Sequence, residues 1–238
     1  MPHTSVPMFS GQPMSTPFEL TGGASSISAV KKPRLDDAGI ATPMEVPGTQ
    51  LHGELRFRTS ANTFGGVAFE QGTSGSTQRL SSEAPPVGDR DVFGVGGVFG
   101  GSTMLSPEVR LGYLAAVTVW DVPYVTYDRA ADGTVTVIER DSDKISTYGV
   151  GLTPSYRTGP LVLFGTVFLR NHPVSNRSEL LETDPVEGGP FNVAVAAGVE
   201  YEFAPRLSAT ALVQQNLSTE PVRYGPGLQV ALTAKLGN

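Results

Sequence analysis

Cysteine is absent from this chain, and charge is scarce, since Asp, Glu, Lys and Arg make up only 17% of 238 residues. The missing cysteines exclude a disulfide framework and cysteine-ligated metal sites. No run of residues approaches the roughly 18 apolar positions of a transmembrane helix. The net charge of −6 argues against a nucleic-acid partner, because phosphate binding needs a basic surface. With 28 Gly and 19 Pro, the composition predicts an all-β chain with many turns rather than a disordered one, which would be richer in charge.

The first sixteen residues, MPHTSVPMFSGQPMST, differ from the rest of the sequence. They lack the basic and apolar regions of a signal peptide. They are rich in Pro, Met, Ser and Thr, which predicts a flexible N-terminal lead-in over residues 1–16. We expect residues 17–238 to form a single β domain.

The stretch FNVAVAAGVEYEF, residues 191–203, alternates strictly between two kinds of side chain. Its odd positions are aromatic or aliphatic, whereas its even positions are small or polar and include Glu200 and Glu202. Because side chains point to opposite faces of a strand with period two, this stretch predicts a two-faced β-strand. The other predicted strands are 16–28, 51–60, 64–71, 92–101, 109–120, 146–156, 160–171, 206–217 and 227–237, of which 160–171 is apolar on both faces until Arg170.

Connections between the predicted strands alternate between short and long. The short ones are LSPE (105–108), YRTG (156–159) and FAPR (203–206), and the long ones lie near 30–48, 72–90, 127–144 and 171–190. A compact soluble domain favours short connections at both ends. Short turns at one end and long loops at the other are typical of barrels in an outer membrane. Ten strands fit best, with a turn at 60–63, because 51–71 is too long for one membrane strand of about 9 to 11 residues; eight strands are the alternative.

This pattern resembles the small outer-membrane β-barrel family of Gram-negative bacteria, the OmpA-like and OmpX-like barrels. The resemblance covers residues from about 50 to 238 and is carried by strand alternation, loop pattern and tyrosines near strand ends. It implies an antiparallel up-and-down transmembrane β-barrel in the bacterial outer membrane, with a structural, adhesive or narrow porin-like channel role. Outer-membrane lipids and an extracellular partner of the long loops are the implied partners. Two features depart from the family: the chain ends in KLGN rather than an aromatic residue, and no export signal is visible.

In a membrane barrel the two faces of each strand have different surroundings. The apolar face would contact lipid, which predicts lipid-facing positions at Val193, Val195, Val199, Leu228, Val230 and Leu232. The polar face would line the lumen, which predicts a lumenal charge cluster of Glu54, Arg56, Arg58, Arg110, Glu200, Glu202 and Lys235. Unpaired buried charge is costly, and a barrel of eight to ten strands is narrow, so we expect these charges to pair within a plugged polar lumen.

Catalytic, cofactor and metal motifs are weak in this sequence. His52 lies near Glu54, and His172 precedes Ser175 and Ser178, but a serine hydrolase also needs an orienting acid and an oxyanion hole. The sequence therefore predicts no enzyme and no cofactor. The GxGxxG spacing within 94–101 has no following helix, so its glycines predict packing space for bulky lumenal side chains rather than a nucleotide site. No metal motif is present; the loop carboxylates are expected to be solvated, namely Asp141, Asp143, Glu182, Asp184 and Glu187.

Two other functions remain as alternatives. A soluble lipocalin-like barrel would turn the apolar strand faces inward to bind a small apolar ligand. Its outer surface would then carry few charges, whereas soluble surfaces are about a quarter or more charged. The second alternative is an outer-membrane lipid hydrolase or acyltransferase.

Overall fold

The computed structural model describes residues 6–35, 41–74, 90–129, 135–171, 191–217 and 223–237. Within these ranges the regular structure consists of β-strands. Their bounds are β1 Phe18–Leu35, β2 Ala41–Arg58, β3 Thr63–Ser74, β4 Arg90–Met104, β5 Val109–Arg129, β6 Val135–Thr158, β7 Leu161–Asn171, β8 Phe191–Ala204, β9 Leu207–Asn216, β10 Arg223–Tyr224 and β11 Gly227–Leu236.

The strands form one closed antiparallel barrel. Each strand from β2 to β9 pairs with its sequence neighbour, β9 pairs with β11, and β1 closes the sheet by pairing with both β11 and β2. The short β10 also pairs with β1, beyond the end of β11, so the two segments form one interrupted strand. The barrel therefore has ten strands. This confirms the predicted ten-stranded up-and-down fold and rules out the eight-stranded alternative.

Short turns lie at one end of the barrel, which we call the short-turn end. They are formed by residues 59–62, 105–108, 159–160 and 205–206, close to the predicted short connections. The first residue of β1 and the last residue of β11 lie at this same end, where Phe18 pairs with Leu236. The opposite end, the long-loop end, is where the longer connections leave the strands.

Two hairpins extend further toward the long-loop end than the neighbouring strands. The pairing of β1 with β2 continues to Leu35 and Ala41, and that of β5 with β6 continues to Arg129 and Val135. The loops expected near 30–48 and 127–144 are therefore shorter than expected, because two paired strands satisfy each other's backbone groups beyond the edge of the barrel. The loops expected near 72–90 and 171–190 lie mostly outside the described residues.

Burial alternates along the strands and shows which face points inward. In β8, Asn192, Ala194 and Ala196 are buried, whereas the odd positions between them are more exposed. The same alternation leaves large apolar side chains exposed on the outside, among them Leu228 (53%), Val230 (49%) and Leu232 (61%) on β11. The apolar face is thus the outer face, which excludes the inward-facing apolar lining of the lipocalin-like alternative.

Most of residues 6–16, which we call the N-terminal segment, lies inside the barrel. Val6, Met8, Phe9 and Met14 are between 0% and 7% exposed and belong to the buried apolar cluster of the interior. Composition predicts a flexible lead-in over residues 1–16; among the described residues of this stretch, Val6 to Met14 pack against the inner wall, whereas Ser15 is exposed. No described stretch is a helix of the length and hydropathy needed to span a bilayer.

Candidate functional site in the barrel interior

The tightest charged contact in the interior joins two residues on β2. Arg56 Nε lies 2.5 Å from Glu54 Oε1, and its Nη2 donates to Glu54 Oε2 at 3.0 Å. Residues two apart on a strand point to the same face, which brings these predicted lumenal charges together. Both residues are 6% exposed, so each neutralises a charge that would otherwise be buried alone.

A second charged contact lies near the short-turn end. Lys235 Nζ is 2.6 Å from Glu202 Oε2, and Arg157 Nη2 reaches the same oxygen at 3.5 Å. Of the other predicted cluster members, Arg58 is exposed and Arg110 and Glu200 are half-buried. The predicted lumenal charges therefore do not form one central cluster. Four of them form two separate ion pairs, and the other three are exposed or half-buried.

The wall binds the main chain of the N-terminal segment with side chains. Gln214 Oε1 accepts from the backbone N–H of Val6 at 2.8 Å, and Gln229 Nε2 donates to the carbonyl of Val6 at 3.1 Å. Gln229 also donates to Gln214 at 2.6 Å, so the two amides hold each other in place. Further along, Arg56 Nη2 donates to the carbonyl of Met8 at 2.7 Å.

An apolar cluster surrounds the side chains of the N-terminal segment. The Phe9 and Phe64 rings lie 5.2 Å apart with a 59° tilt, and the Arg56 guanidinium lies 5.0 Å from the Phe64 ring centroid. The cluster also contains Leu114, Phe164, Phe168 and Leu212 from the wall. This inner apolar patch was not predicted from the sequence. The segment 160–171, which is apolar on both faces, is the feature of the sequence that could have indicated it.

Glycines make room for these bulky interior groups. A Cβ at Gly112 would lie 2.7 Å from both Gly11 Cα and Phe9 Cε1. On β4, a Cβ at Gly94 would lie 2.8 Å from the Trp120 ring, and one at Gly100 would lie 2.6 Å from the Phe64 ring. This is the use expected for the glycines of 94–101, namely space for large side chains that point into the barrel.

Polar side chains fill the interior toward the long-loop end. Arg170 Nη2 donates to Asn216 Oδ1 at 2.6 Å, and Trp120 Nε1 donates to Thr147 Oγ1 at 2.8 Å. Gln50 donates to the Glu70 carboxylate in the same part of the barrel. Several buried atoms have no hydrogen-bond partner in the described structure, namely Asn192 Oδ1, Gln214 Nε2 and Asn216 Nδ2. Such groups are the usual partners of buried water.

The outer surface is an apolar band between two rows of aromatic residues. Near the short-turn end the row consists of Phe18, Phe57, Tyr113, Tyr156, Tyr201 and Phe203; toward the long-loop end it consists of Phe69, Phe93, Tyr148 and Phe191. The predicted lipid-facing residues all occupy outward positions in this band. Among the described residues, no Asp, Glu, Lys or Arg lies at an outward position between the two rows. The first outward charges, Asp121 and Lys144, pair at 3.0 Å beside Phe93, at the edge of the band.

The candidate catalytic and metal residues are only partly placed. His52 is half-buried on the inner face, and its Nε2 has no hydrogen-bond partner in the described structure. His172, Ser175, Ser178, Glu182, Asp184 and Glu187 lie outside the described residues, as do the side chains of Asp141 and Asp143. Within the described ranges, no three His, Asp or Glu side chains are grouped closely enough to hold a metal ion.

Comparison with known proteins places the fold among membrane-type barrels of bacteria. The chain is similar to the β domain of the Bordetella autotransporter BrkA, with 10% identity and a TM-score of 0.55 over 94% of this chain and 100% of that one. It is also similar to the translocator domain of the autotransporter NalP from Neisseria meningitidis, with 9% identity and a TM-score of 0.50 over 94% and 90% of the two chains. No family model and no curated protein sequence matches the chain.

The sequence predicts that the protein is not an enzyme, and this exclusion is wrong. The structures similar to this chain include the outer membrane protease OmpT from Escherichia coli, with 12% identity and a TM-score of 0.39 over 94% of this chain and 97% of that one. The likeness assigns no activity to this chain.

Proposed function

We propose that the protein is an integral β-barrel protein of the bacterial outer membrane whose interior is closed by its own N-terminal segment. The observation that carries this proposal is the uncharged outer band bounded by two rows of aromatic residues. Outer-membrane barrels have an outward apolar band about 25 Å tall, flanked by aromatic girdles at the two interfaces. A soluble barrel would have no reason to keep charge off this surface.

The height of the band supports the same assignment. Ten residue steps separate Phe191 from Tyr201 on β8, which is about 33 Å along a strand at roughly 3.3 Å per residue. At the strand tilt of about 35 to 45° that is usual for such barrels, this length corresponds to a height of about 25 Å. The partners that follow from this proposal are the lipids of the outer membrane.

A structural or adhesive role fits the filled interior better than a channel role. The N-terminal segment and the large inward side chains Phe64, Phe164 and Phe168 occupy the centre of the barrel. An adhesive role would reside in the connections at the long-loop end, acting on an extracellular partner. The narrower relation to the OmpA-like and OmpX-like barrels is part of this proposal, supported by the small barrel and its short turns at one end.

The proposal is tested by folding the 238-residue chain with and without an amphiphile. We expect it to fold in detergent micelles, with a β-rich far-ultraviolet spectrum and an unboiled gel mobility that differs from the boiled one. In planar bilayers the folded protein should give no steady conductance. A monodisperse, folded protein in plain buffer would contradict the membrane assignment, and a stable conductance from the unmodified chain would contradict the closed interior.

A further inference from the structure

The N-terminal segment is held in the barrel in the way a ligand is held, not as part of the wall. Among the described residues, no backbone–backbone hydrogen bond joins residues 6–16 to a strand; the first such bond runs from Arg58 N–H to the carbonyl of Pro17. Pro7 and Pro13 lack the N–H that strand pairing needs, and Gly11 has a φ of 76°. The segment therefore crosses the interior as a chain that no strand has incorporated.

The wall recognises the main chain of the segment. Gln214 and Gln229 bind both the N–H and the carbonyl of Val6, and Arg56 binds the carbonyl of Met8. These groups exist in every peptide, so this part of the recognition does not depend on the residue type. Selectivity comes from the apolar cluster, which takes the side chains of Val6, Met8 and Phe9, and from Ser155 Oγ, which accepts from Gln12 Nε2 at 2.9 Å.

The wall does not need the segment to neutralise its charges. Residues 6–16, VPMFSGQPMST, contain no Asp, Glu, Lys or Arg. Arg56 keeps Glu54 as its ion-pair partner, and Lys235 keeps Glu202. Removal of the segment would thus leave the wall ion pairs intact and would expose amides that water can bind.

We propose that the barrel interior is a binding site for a short, uncharged peptide, filled here by the chain's own residues 6–12, and that this occupant is exchangeable. This inference rests on the proposed function, in which the N-terminal segment closes the barrel. It adds that the segment is bound as a ligand by the side-chain amides of Gln214 and Gln229 and by Arg56. Another peptide with apolar side chains at the positions of Val6, Met8 and Phe9 is the class of ligand that the site accepts.

The experiment uses the 238-residue chain, whose lack of cysteine makes any introduced thiol unique. Ser10 is 8% exposed within the segment, and Ser60 lies in an exposed turn. We expect a water-soluble maleimide to label S10C much more slowly than S60C. In the S10C background, Q214A/Q229A should raise the labelling rate about tenfold, because the hydrogen bonds that hold Val6 are lost. The matched control is Q71A/Q215A, which changes two glutamines on the outer face and should leave the rate unchanged.

A second arm leaves the binding groups unaltered. A synthetic peptide of residues 1–16 at millimolar concentration, comparable with the effective concentration of a tethered segment, should raise the labelling rate of S10C, and a scrambled peptide should not. The proposal would be overturned if S10C and S60C were labelled at equal rates. It would also be overturned if the two double variants were labelled at equal rates while both kept the folded gel mobility. If Q214A/Q229A does not fold, the peptide experiment decides: a labelling rate of S10C that does not change when the peptide is added would overturn the proposal. If the chain folds in plain buffer, the membrane assignment fails, yet the same labelling comparison can be made there.

Discussion

Val195 lies about midway between Phe191 and Tyr201 on the outer face of β8, next to Val167 of β7 in the pairing register. If the band contacts lipid, an arginine at this depth must be buried in hydrocarbon. We expect Val195→Arg to lower the free energy of unfolding by about 2 to 4 kcal/mol, as measured by denaturant titration in lipid vesicles.

The control for this variant is the next residue, which points the other way. Ala196 is 9% exposed, and its register partners are Thr166 and Gln214, both polar inner-wall residues. A hydroxyl there has partners within the barrel, so Ala196→Ser should be tolerated. A well-tolerated Val195→Arg, with an unfolding free energy like that of the unmodified protein, would show that this face does not meet the membrane core.

Arg56 and Arg157 allow the same substitution to be compared in two environments. Arg56 is 6% exposed and binds Glu54, the Met8 carbonyl and the Phe64 ring, whereas the Arg157 side chain is 44% exposed, 3.5 Å from Glu202. Removing one partner of a buried pair leaves the other charge uncompensated. We therefore expect Arg56→Ala to cost about 3 to 5 kcal/mol of unfolding free energy and Arg157→Ala about 0 to 1 kcal/mol. Similar costs for the two variants in a denaturant titration would mean that the Glu54 charge is solvated.

At the scale of an element, the packing of the N-terminal segment depends on the absence of a side chain at Gly112 on β5. A methyl group there would lie 2.7 Å from Gly11 Cα and from the Phe9 ring, which is too close for either to stay in place. We expect Gly112→Ala to cost about 1 to 3 kcal/mol and to speed cleavage after Phe9 by a protease specific for aromatic residues. Gly53→Ala is the control, because a Cβ at Gly53 meets no atom within 4 Å. Equal cleavage rates for the two variants would contradict the close packing of the segment on β5.

The strands could be predicted from the sequence, whereas the N-terminal segment could not. In β8, β9 and β11 the two faces differ so clearly that period-two alternation identifies both the strand and its orientation. Residues 6–16 have no such period, and their prolines and small polar residues are also those of a linker. Their burial depends on side chains from β2, β9 and β11, which are remote in sequence and become neighbours only when the barrel closes.

The candidate site was predictable only where charges share a strand. Glu54 and Arg56 lie two residues apart on β2, so their common inward face follows from alternation alone. The contact between Glu202 and Lys235 joins β8 to β11, which lie on either side of β9, and follows only from the three-dimensional arrangement. The inner apolar cluster could not be predicted in this way. Phe164 and Phe168 alternate on β7 with apolar residues that face outward. When both faces of a strand are apolar, the sequence does not show which face points inward.

At the scale of the whole molecule, the apolar band determines which bilayer suits the barrel. The step from Phe191 to Tyr201 corresponds to a band about 25 Å tall, which is thinner than the roughly 30 Å hydrocarbon core of an average bilayer. The bacterial outer membrane is itself thinner than average. Because the outward charges Asp121 and Lys144 begin at the edge of the band, a thicker bilayer would have to cover them or become thinner around the barrel.

This argument predicts how stability depends on lipid chain length. In vesicles of phosphatidylcholines with increasing chain length, we expect the unfolding free energy to be largest where the hydrocarbon thickness is near 25 Å. It should decrease by a fraction of a kcal/mol for each ångström of mismatch on either side. The measurement is a denaturant titration of the same protein across the lipid series, with Val195→Arg as a control that should be destabilised in every lipid. A maximum beyond about 30 Å would mean that the aromatic rows do not mark the two interfaces, and stability independent of thickness would mean that the band does not span the bilayer.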